Sequence, residues 1–325
     1  MAVLGFWSFD FTDPANEGWV GILSRQTTAR TGARSMGVGG NLVLSPSVGN
    51  KSTLYAGVAY QQPSLGTGRV MGFYDTGSDQ ITVTRETDGS LAVRRGSNSG
   101  TILAQSAAGV LNTAGIWVHL QLKVVFHGST GTVELRKEGA TIASGSGLNT
   151  SATGNARGTN LWLAGPAGTN TAYCDDVWID DAAWLGDCKI ECLTASANGN
   201  TNNFTPSTGS NYQNVDDGVS DDGDSTYNSS NTTNDVDLYA MGNLASTVGN
   251  IKGAKFSYVS RKDDAGSRSL AGVVRSAGTD YVQATQAQST TKAVYTDYLL
   301  TDPATSTAWT ITTINAVESG IKLIV

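Results

Sequence analysis

The stretch Ile116-Trp117-Val118-His119-Leu120-Gln121-Leu122-Lys123-Val124-Val125-Phe126 decides the fold class. Every second residue, from Ile116 through Val118, Leu120, Leu122 and Val124 to Phe126, is apolar, and a period of two is the signature of a strand with one face against a core. His127-Gly128-Ser129-Thr130-Gly131 then supplies turn residues, and Val133-Glu134-Leu135-Arg136-Lys137 alternates again, so the two runs predict a hairpin. On this reading His119, Gln121 and Lys123 lie on the opposite, outward side of the strand. Shorter strands of the same kind are expected at 81–85, 91–95 and 161–163, at the spacing of a sandwich or barrel.

Working outward, the 325 residues carry 39 glycines and only 15% charged residues, against about 25% in ordinary globular chains. Such a chain covers its surface with Ser, Thr, Asn and Gly, and with 39% hydrophobic residues it describes a turn-rich β protein. The net charge of -7 argues against nucleic acid as a partner. No apolar run approaches 18 residues, so membrane insertion is not expected, and the start MAVLGFWSFDF lacks the basic region of a signal peptide. The acidity is concentrated: residues 173–237 hold twelve Asp and one Glu against Lys189 alone. A second set of short strands is expected at 238–239, 255–259, 270–274, 281–282, 294–300 and 321–325, with one helical turn near 314–318. The stretch 198–234 reads as polar loops over a second core. These features predict an all-β chain of two tandem β-sandwich domains of jelly-roll type, 1–187 and 188–325.

Candidate chemistry is sparse. The histidines, His119 and His127, share one strand or its end, no Gly-x-Ser-x-Gly elbow occurs, and no Gly-x-Gly-x-x-Gly loop is completed. Glu134 and Glu138 on one extended strand would stand about 13 Å apart, too far for the paired carboxyls of a glycosidase. No catalytic residue is assigned and no enzyme is expected. Asp221, Asp222 and Asp224 offer hard oxygen ligands for a structural calcium ion, although EF-hand spacing fails and Asp-Gly pairs also make turns. Cys174, Cys188 and Cys192 lack a fourth zinc ligand and are expected as thiols. Four asparagines, Asn149, Asn203, Asn228 and Asn231, match the glycosylation sequon, read here as polar loops. Among the tryptophans Trp117 opposes the apolar stripe, which makes it the candidate for stacking on a sugar, with packing as the alternative.

Two resemblances add expectations. Trp7–Phe11, the hairpin 117–135 and Tyr173-Cys174-Asp175-Asp176-Val177-Trp178-Ile179 together resemble a concanavalin A-like lectin/glucanase jelly roll of the laminin-G type over about residues 5–185. The tight acidic motif of the glucanases of that fold is missing, so the resemblance implies fold and not catalysis. The run Trp184-Leu185-Gly186-Asp187-Cys188-Lys189-Ile190-Glu191, with Phe204–Gly209, Asp222–Tyr227 and Asp237–Tyr239, resembles a module of tailed-bacteriophage virion proteins. So does the ending from Asp302-Pro303-Ala304-Thr305 through Ile314–Lys322. That likeness implies a structural component of a virion, a fibre, spike or capsid decoration, made in the host cytoplasm. Its partners would be other virion proteins and further copies of itself, a homotrimer first. The alternative is an adhesin that recognises host-surface polysaccharide.

Overall fold

The computed structural model describes residues 3–167, 171–217 and 222–325. The chain is all-β: among the described residues one short α-helix, α1 (Ile311–Asn315), interrupts a succession of antiparallel strands. It divides into two compact units, Met1–Ile190 and Glu191–Val325. The division falls three residues after the 187/188 boundary read from the sequence, because Cys188 and Ile190 are tied into the first unit. Arg30 Nη1 donates to Cys188 O at 3.3 Å, and the Ile190 N–H donates to Asp176 Oδ1 at 2.7 Å.

The first unit contains β1 (Val3–Trp7), β2 (Leu23–Gln26), β3 (Ser35–Val38), β4 (Val43–Leu44), β5 (Thr53–Gln61), β6 (Gly68–Asp75) and β7 (Ser78–Arg85). It continues with β8 (Leu91–Arg95), β9 (Ile102–Gln105), β10 (Val118–Val125), β11 (Gly131–Lys137), β12 (Ala140–Leu148), β13 (Asn160–Leu163) and β14 (Ala172–Asp180). Eight strands form one sheet in the order β12-β11-β10-β5-β14-β3-β2, with β1 also on β14; six form the second, β4-β13-β6-β7-β8-β9. The two sheets bury a common core. Val118, Leu120, Leu122 and Val124 of β10 all point into it, as their alternation requires, and Phe126 meets Phe73 edge to face at 5.8 Å. Each such fully buried side chain contributes roughly 1.5–3 kcal/mol of transfer free energy. The strand starts at Val118, not Ile116, which is 54% exposed. The β10–β11 hairpin forms in the expected register, Leu122 opposite Leu135.

The second unit contains β15 (Ala195–Asn202), β16 (Thr205–Pro206), β17 (Asn228–Ser229), β18 (Val236–Met241) and β19 (Ala254–Ser260), then β20 (Ser269–Ser276), β21 (Thr279–Ala287), β22 (Ala293–Leu299) and β23 (Glu318–Leu323). A five-stranded sheet, β15-β18-β23-β20-β21, is joined by the separate ribbon β19-β22. Phe256 and Leu299 of the ribbon pack with Val274, Trp309, Ile314 and Val317, and Trp309 Nε1 donates to Leu299 O at 2.9 Å. The helical turn expected at 314–318 lies at 311–315 because Thr310 caps it, its hydroxyl accepting from the Thr313 N–H at 3.1 Å. The Asn-rich stretch, expected as loops, contributes the edge strand β15 and closes on a buried carboxylate. Asp237 accepts from Tyr239 OH at 2.5 Å, Asn211 Nδ2 at 3.0 Å and Asn228 Nδ2 at 3.2 Å.

Candidate functional site

The candidates read from the sequence are not brought together. Trp117 is half-buried in the segment ahead of β10. Asp221 lies outside the described residues. Asp222 accepts from Thr226 Oγ1 at 2.8 Å, while Asp224 pairs with Arg261 at 3.0 Å and Lys292 at 3.4 Å, so the two carboxylates serve different partners. Among the described residues no group of three or more His, Cys, Asp or Glu side chains is placed to hold a metal ion. Asn228 spends its amide on Asp237, Asn211 O and Tyr239 OH. Cys174 is wholly buried, and burial first, then Asp175, pushes its thiol well above the usual range.

The outward side of β10 is not exposed, contrary to the expectation for His119 and Gln121, which are each 1% exposed. Alternation along a strand says which residues share a side, not whether that side is covered. Residues 181–190 run across the outer face of the eight-stranded sheet. There Leu185 packs with Tyr55 and Trp178, and Trp184 meets Tyr55 edge to face at 5.1 Å under the Arg136 guanidinium. The clasp of this strap is a bulge in β14, where β14 changes neighbour from β3 to β1 and Asp176 adopts φ 48°. Asp175 accepts from the backbone N–H groups of Arg30 (2.8 Å), Thr31 (3.1 Å) and Asp176 (2.8 Å). Asp176 accepts from Arg30 Nη1 (3.1 Å), Thr31 Oγ1 (2.9 Å) and the Ile190 N–H (2.7 Å), and Arg30 Nη2 reaches Asp187 at 2.5 Å. Burial first, then the neighbouring Asp176, pushes the Asp175 carboxyl up to about 8 against the three N–H groups that favour its charge. Burial brings His119 down to about 4, leaving the imidazole neutral at pH 7. Every carboxylate oxygen of Asp175 and Asp176 has a partner. The network holds chain to chain.

The outer face of the six-stranded sheet is built differently. The register places Trp162 of β13 opposite Gly72 of β6, Gly72 opposite Thr82 of β7, and Arg69 opposite Thr84, all pointing away from the core. A Cβ on Gly72 would run into the Trp162 ring and Ile81 O, so glycine is what lets the indole lie across β6. Arg69 extends over that ring, its Cζ 5.9 Å from the ring centroid, and Nη2 donates to Asp79 Oδ2 at 2.6 Å. Three polar atoms in this cluster are buried with no hydrogen-bond partner: Arg69 Nε, Asp79 Oδ1 and Trp162 Nε1. Burial raises the Asp79 carboxyl above its usual value, with Arg69 opposing. Alongside, Arg94 pairs with Glu86 at 2.9 Å and donates to Thr84 Oγ1 at 3.0 Å. Two donors and one acceptor, one of the donors on Arg69 itself, are thus buried here without partners. These residues were missed in the sequence, where Arg69 and Trp162 are far apart; the signal was the isolated ArgValMetGlyPhe run bearing a glycine where a strand residue belongs.

No family model matches the chain, and no curated protein matches it. Solved structures with a similar build include domain 4 of AbnA, a GH43 extracellular arabinanase from Geobacillus stearothermophilus in complex with arabinotriose. It is 16% identical over 55% of this chain and 91% of that one, with a TM-score of 0.38. The alginate lyase Aly36B is 11% identical over 55% and 97% of the two chains, TM-score 0.38. The globular domain of T. cruzi calreticulin is 10% identical over 56% and 88%, TM-score 0.39. These likenesses are remote, and the class of this chain, an all-β protein with a two-sheet sandwich as its first unit, rests on its own strand order. No helix of the described residues is long and apolar enough to cross a membrane.

Proposed function

We propose that this chain is a non-catalytic carbohydrate-recognition protein whose first unit takes a saccharide on the outer face of the six-stranded sheet. The observation that carries the reading is that the Arg69–Asp79 pair beside the Trp162 ring leaves Arg69 Nε, Asp79 Oδ1 and Trp162 Nε1 buried without hydrogen-bond partners. Such atoms cost about 1–3 kcal/mol each when left unpaired, and a ligand that satisfies them recovers that cost. Sugar hydroxyls donate and accept together, and the apolar face of a pyranose ring suits an indole. Arg69, whose side chain is 24% exposed, lies over the Trp162 ring and stays paired with Asp79, so its Nε faces the ligand beside the indole. Binding of the full chain to an immobilised glycan panel tests the reading. Arg69→Ala and Asp79→Asn should each weaken every positive signal, and a panel with no signal rejects the proposal.

A setting on a bacteriophage particle, as fibre, spike or decoration with the chain as a homo-oligomer, is the second part of the proposal. It is supported by the motif resemblance of residues 184–239 and 302–322. Mass spectrometry of purified particles and light scattering of the recombinant chain test it, and a monomer absent from particles removes it.

A further inference from the structure

We infer that the Arg69–Asp79–Trp162 site is built for a neutral saccharide, held through adjacent hydroxyl groups directly by protein atoms with no bridging cation. The inference rests on the carbohydrate reading above and narrows it by charge. The strands present two cations on this face, and both are committed: Arg69 to Asp79 at 2.6 Å and Arg94 to Glu86 at 2.9 Å. A uronate or sialate entering here would find no uncommitted cation among these strand residues. It would instead bring its carboxylate against Asp79 Oδ1, which has no donor of its own. A divalent cation is excluded by the same geometry, because calcium wants six to eight oxygen ligands and here the guanidinium already occupies the front of the one carboxylate.

What remains unsatisfied is two N–H donors, one charged and one indole, and one carboxylate acceptor. A single hydroxyl can donate to Asp79 Oδ1 while its oxygen accepts from Arg69 Nε, and the neighbouring hydroxyl accepts from Trp162 Nε1. Thr82 and Thr84 do not compete for these contacts. Thr82 Oγ1 already donates to Gly96 O at 2.5 Å, and Thr84 Oγ1 to Glu86 Oε1 at 2.6 Å. Recognition therefore falls on the three open atoms, and a deoxy sugar lacking either hydroxyl loses a partner for a buried group.

The test uses the full chain against neutral glycans and against uronate- and sialate-bearing glycans, with and without EDTA. The expected result is binding confined to neutral glycans and unchanged within about twofold by EDTA. Asp79→Asn should then weaken it by about ten- to hundredfold, the size of one lost charge-assisted hydrogen bond. Trp162→Phe, which keeps an aromatic ring and removes only the N–H, should weaken it by about three- to tenfold, and it serves if Asp79→Asn does not fold. Preference for anionic glycans, or loss of binding in EDTA, overturns this inference while leaving carbohydrate recognition standing. No binding to any glycan overturns both.

Discussion

The first unit carries the same pair of devices on the outer face of each of its sheets, and they are finished differently. On the eight-stranded sheet Trp178 of β14 lies across Gly57 of β5, and an Arg–Asp pair, Arg30 with Asp176, sits close by. On the six-stranded sheet Trp162 lies across Gly72, beside Arg69 with Asp79. Both indole N–H groups lack partners, so an unsatisfied indole alone distinguishes nothing. The difference is in what surrounds it. Trp178 is roofed by the apolar strap with Leu185, and all four oxygens of Asp175 and Asp176 are satisfied, while Asp180 Oδ2 and His119 Nε2 on the same side are buried without partners. Trp162, itself wholly buried, has the Arg69 guanidinium over its ring, and the carboxylate and guanidinium beside it each keep an unused atom. The Asp175–Asp176 network ties residues 30–31 and 187–190 to β14, whereas the Arg69–Asp79 pair joins only the neighbouring strands β6 and β7.

The sharpest way to break this contrast is to remove each arginine. Arg30→Ala leaves Asp176, 0% exposed, without its ion pair, and the strap without Asp187 and Cys188 contacts, so it should cost about 3–5 kcal/mol in urea unfolding. Arg69→Ala frees a partly exposed pair and should cost only about 1 kcal/mol. Equal losses would show that both faces are merely structural. The glycines come next. Gly72→Ala and Gly57→Ala each drive a methyl into a fixed indole, and overpacking of this kind costs about 1–3 kcal/mol. Gly72→Ala should also weaken glycan binding by displacing Trp162, whereas Gly57→Ala should leave the affinity of the folded fraction unchanged.

The contrast was only half legible in the sequence. Leu120, Leu122 and Val124 declared their strand because a period of two is a local property, and the β10–β11 hairpin followed from its turn residues. That His119 and Gln121 would be covered was not legible, since the cover comes from residues 181–190, more than sixty positions away. Arg69, Asp79 and Trp162 meet only because β6 pairs with β7 on one side and β13 on the other, and nothing in the spacing of the three residues encodes that order. β15 escaped notice for another reason: Ala195–Asn202 is a polar edge strand, held by Asn202 and the backbone, with no apolar alternation to announce it.

A smaller test uses two carboxylates on the same hairpin. Burial raises Asp79, with one partner; burial also acts on Asp75, but Thr153, Asn155, Arg157 and Thr76 outweigh it and bring that carboxyl down to about 2 from 3.8. A carboxyl lowered on folding adds stability that is complete above its unfolded value and is lost as pH falls through its folded one. Stability should therefore fall by about 1 kcal/mol between pH 4 and pH 2 on account of Asp75, after discounting for solvent. Arg157→Gln should flatten that slope in pH-dependent urea titrations. Asp79→Asn should leave it in place.

The smallest expected effect belongs to Trp117, the aromatic that the sequence singled out for sugar stacking. It stands half-buried just ahead of β10, in the eight-stranded sheet, whereas the open atoms of the candidate site are on the six-stranded one. Its neighbourhood is already closed locally: the Gly115 N–H donates to Gln62 O at 2.8 Å and Gln61 Nε2 donates to Gly115 O at 2.9 Å, pinning the turn without the indole. Trp117→Ala should then change unfolding free energy by about 1 kcal/mol, the transfer cost of a half-exposed ring, and glycan affinity by less than about twofold. A loss of binding at Trp117→Ala that matches the loss at Trp162→Phe would move the site from one sheet to the other and reverse the assignment of the two faces.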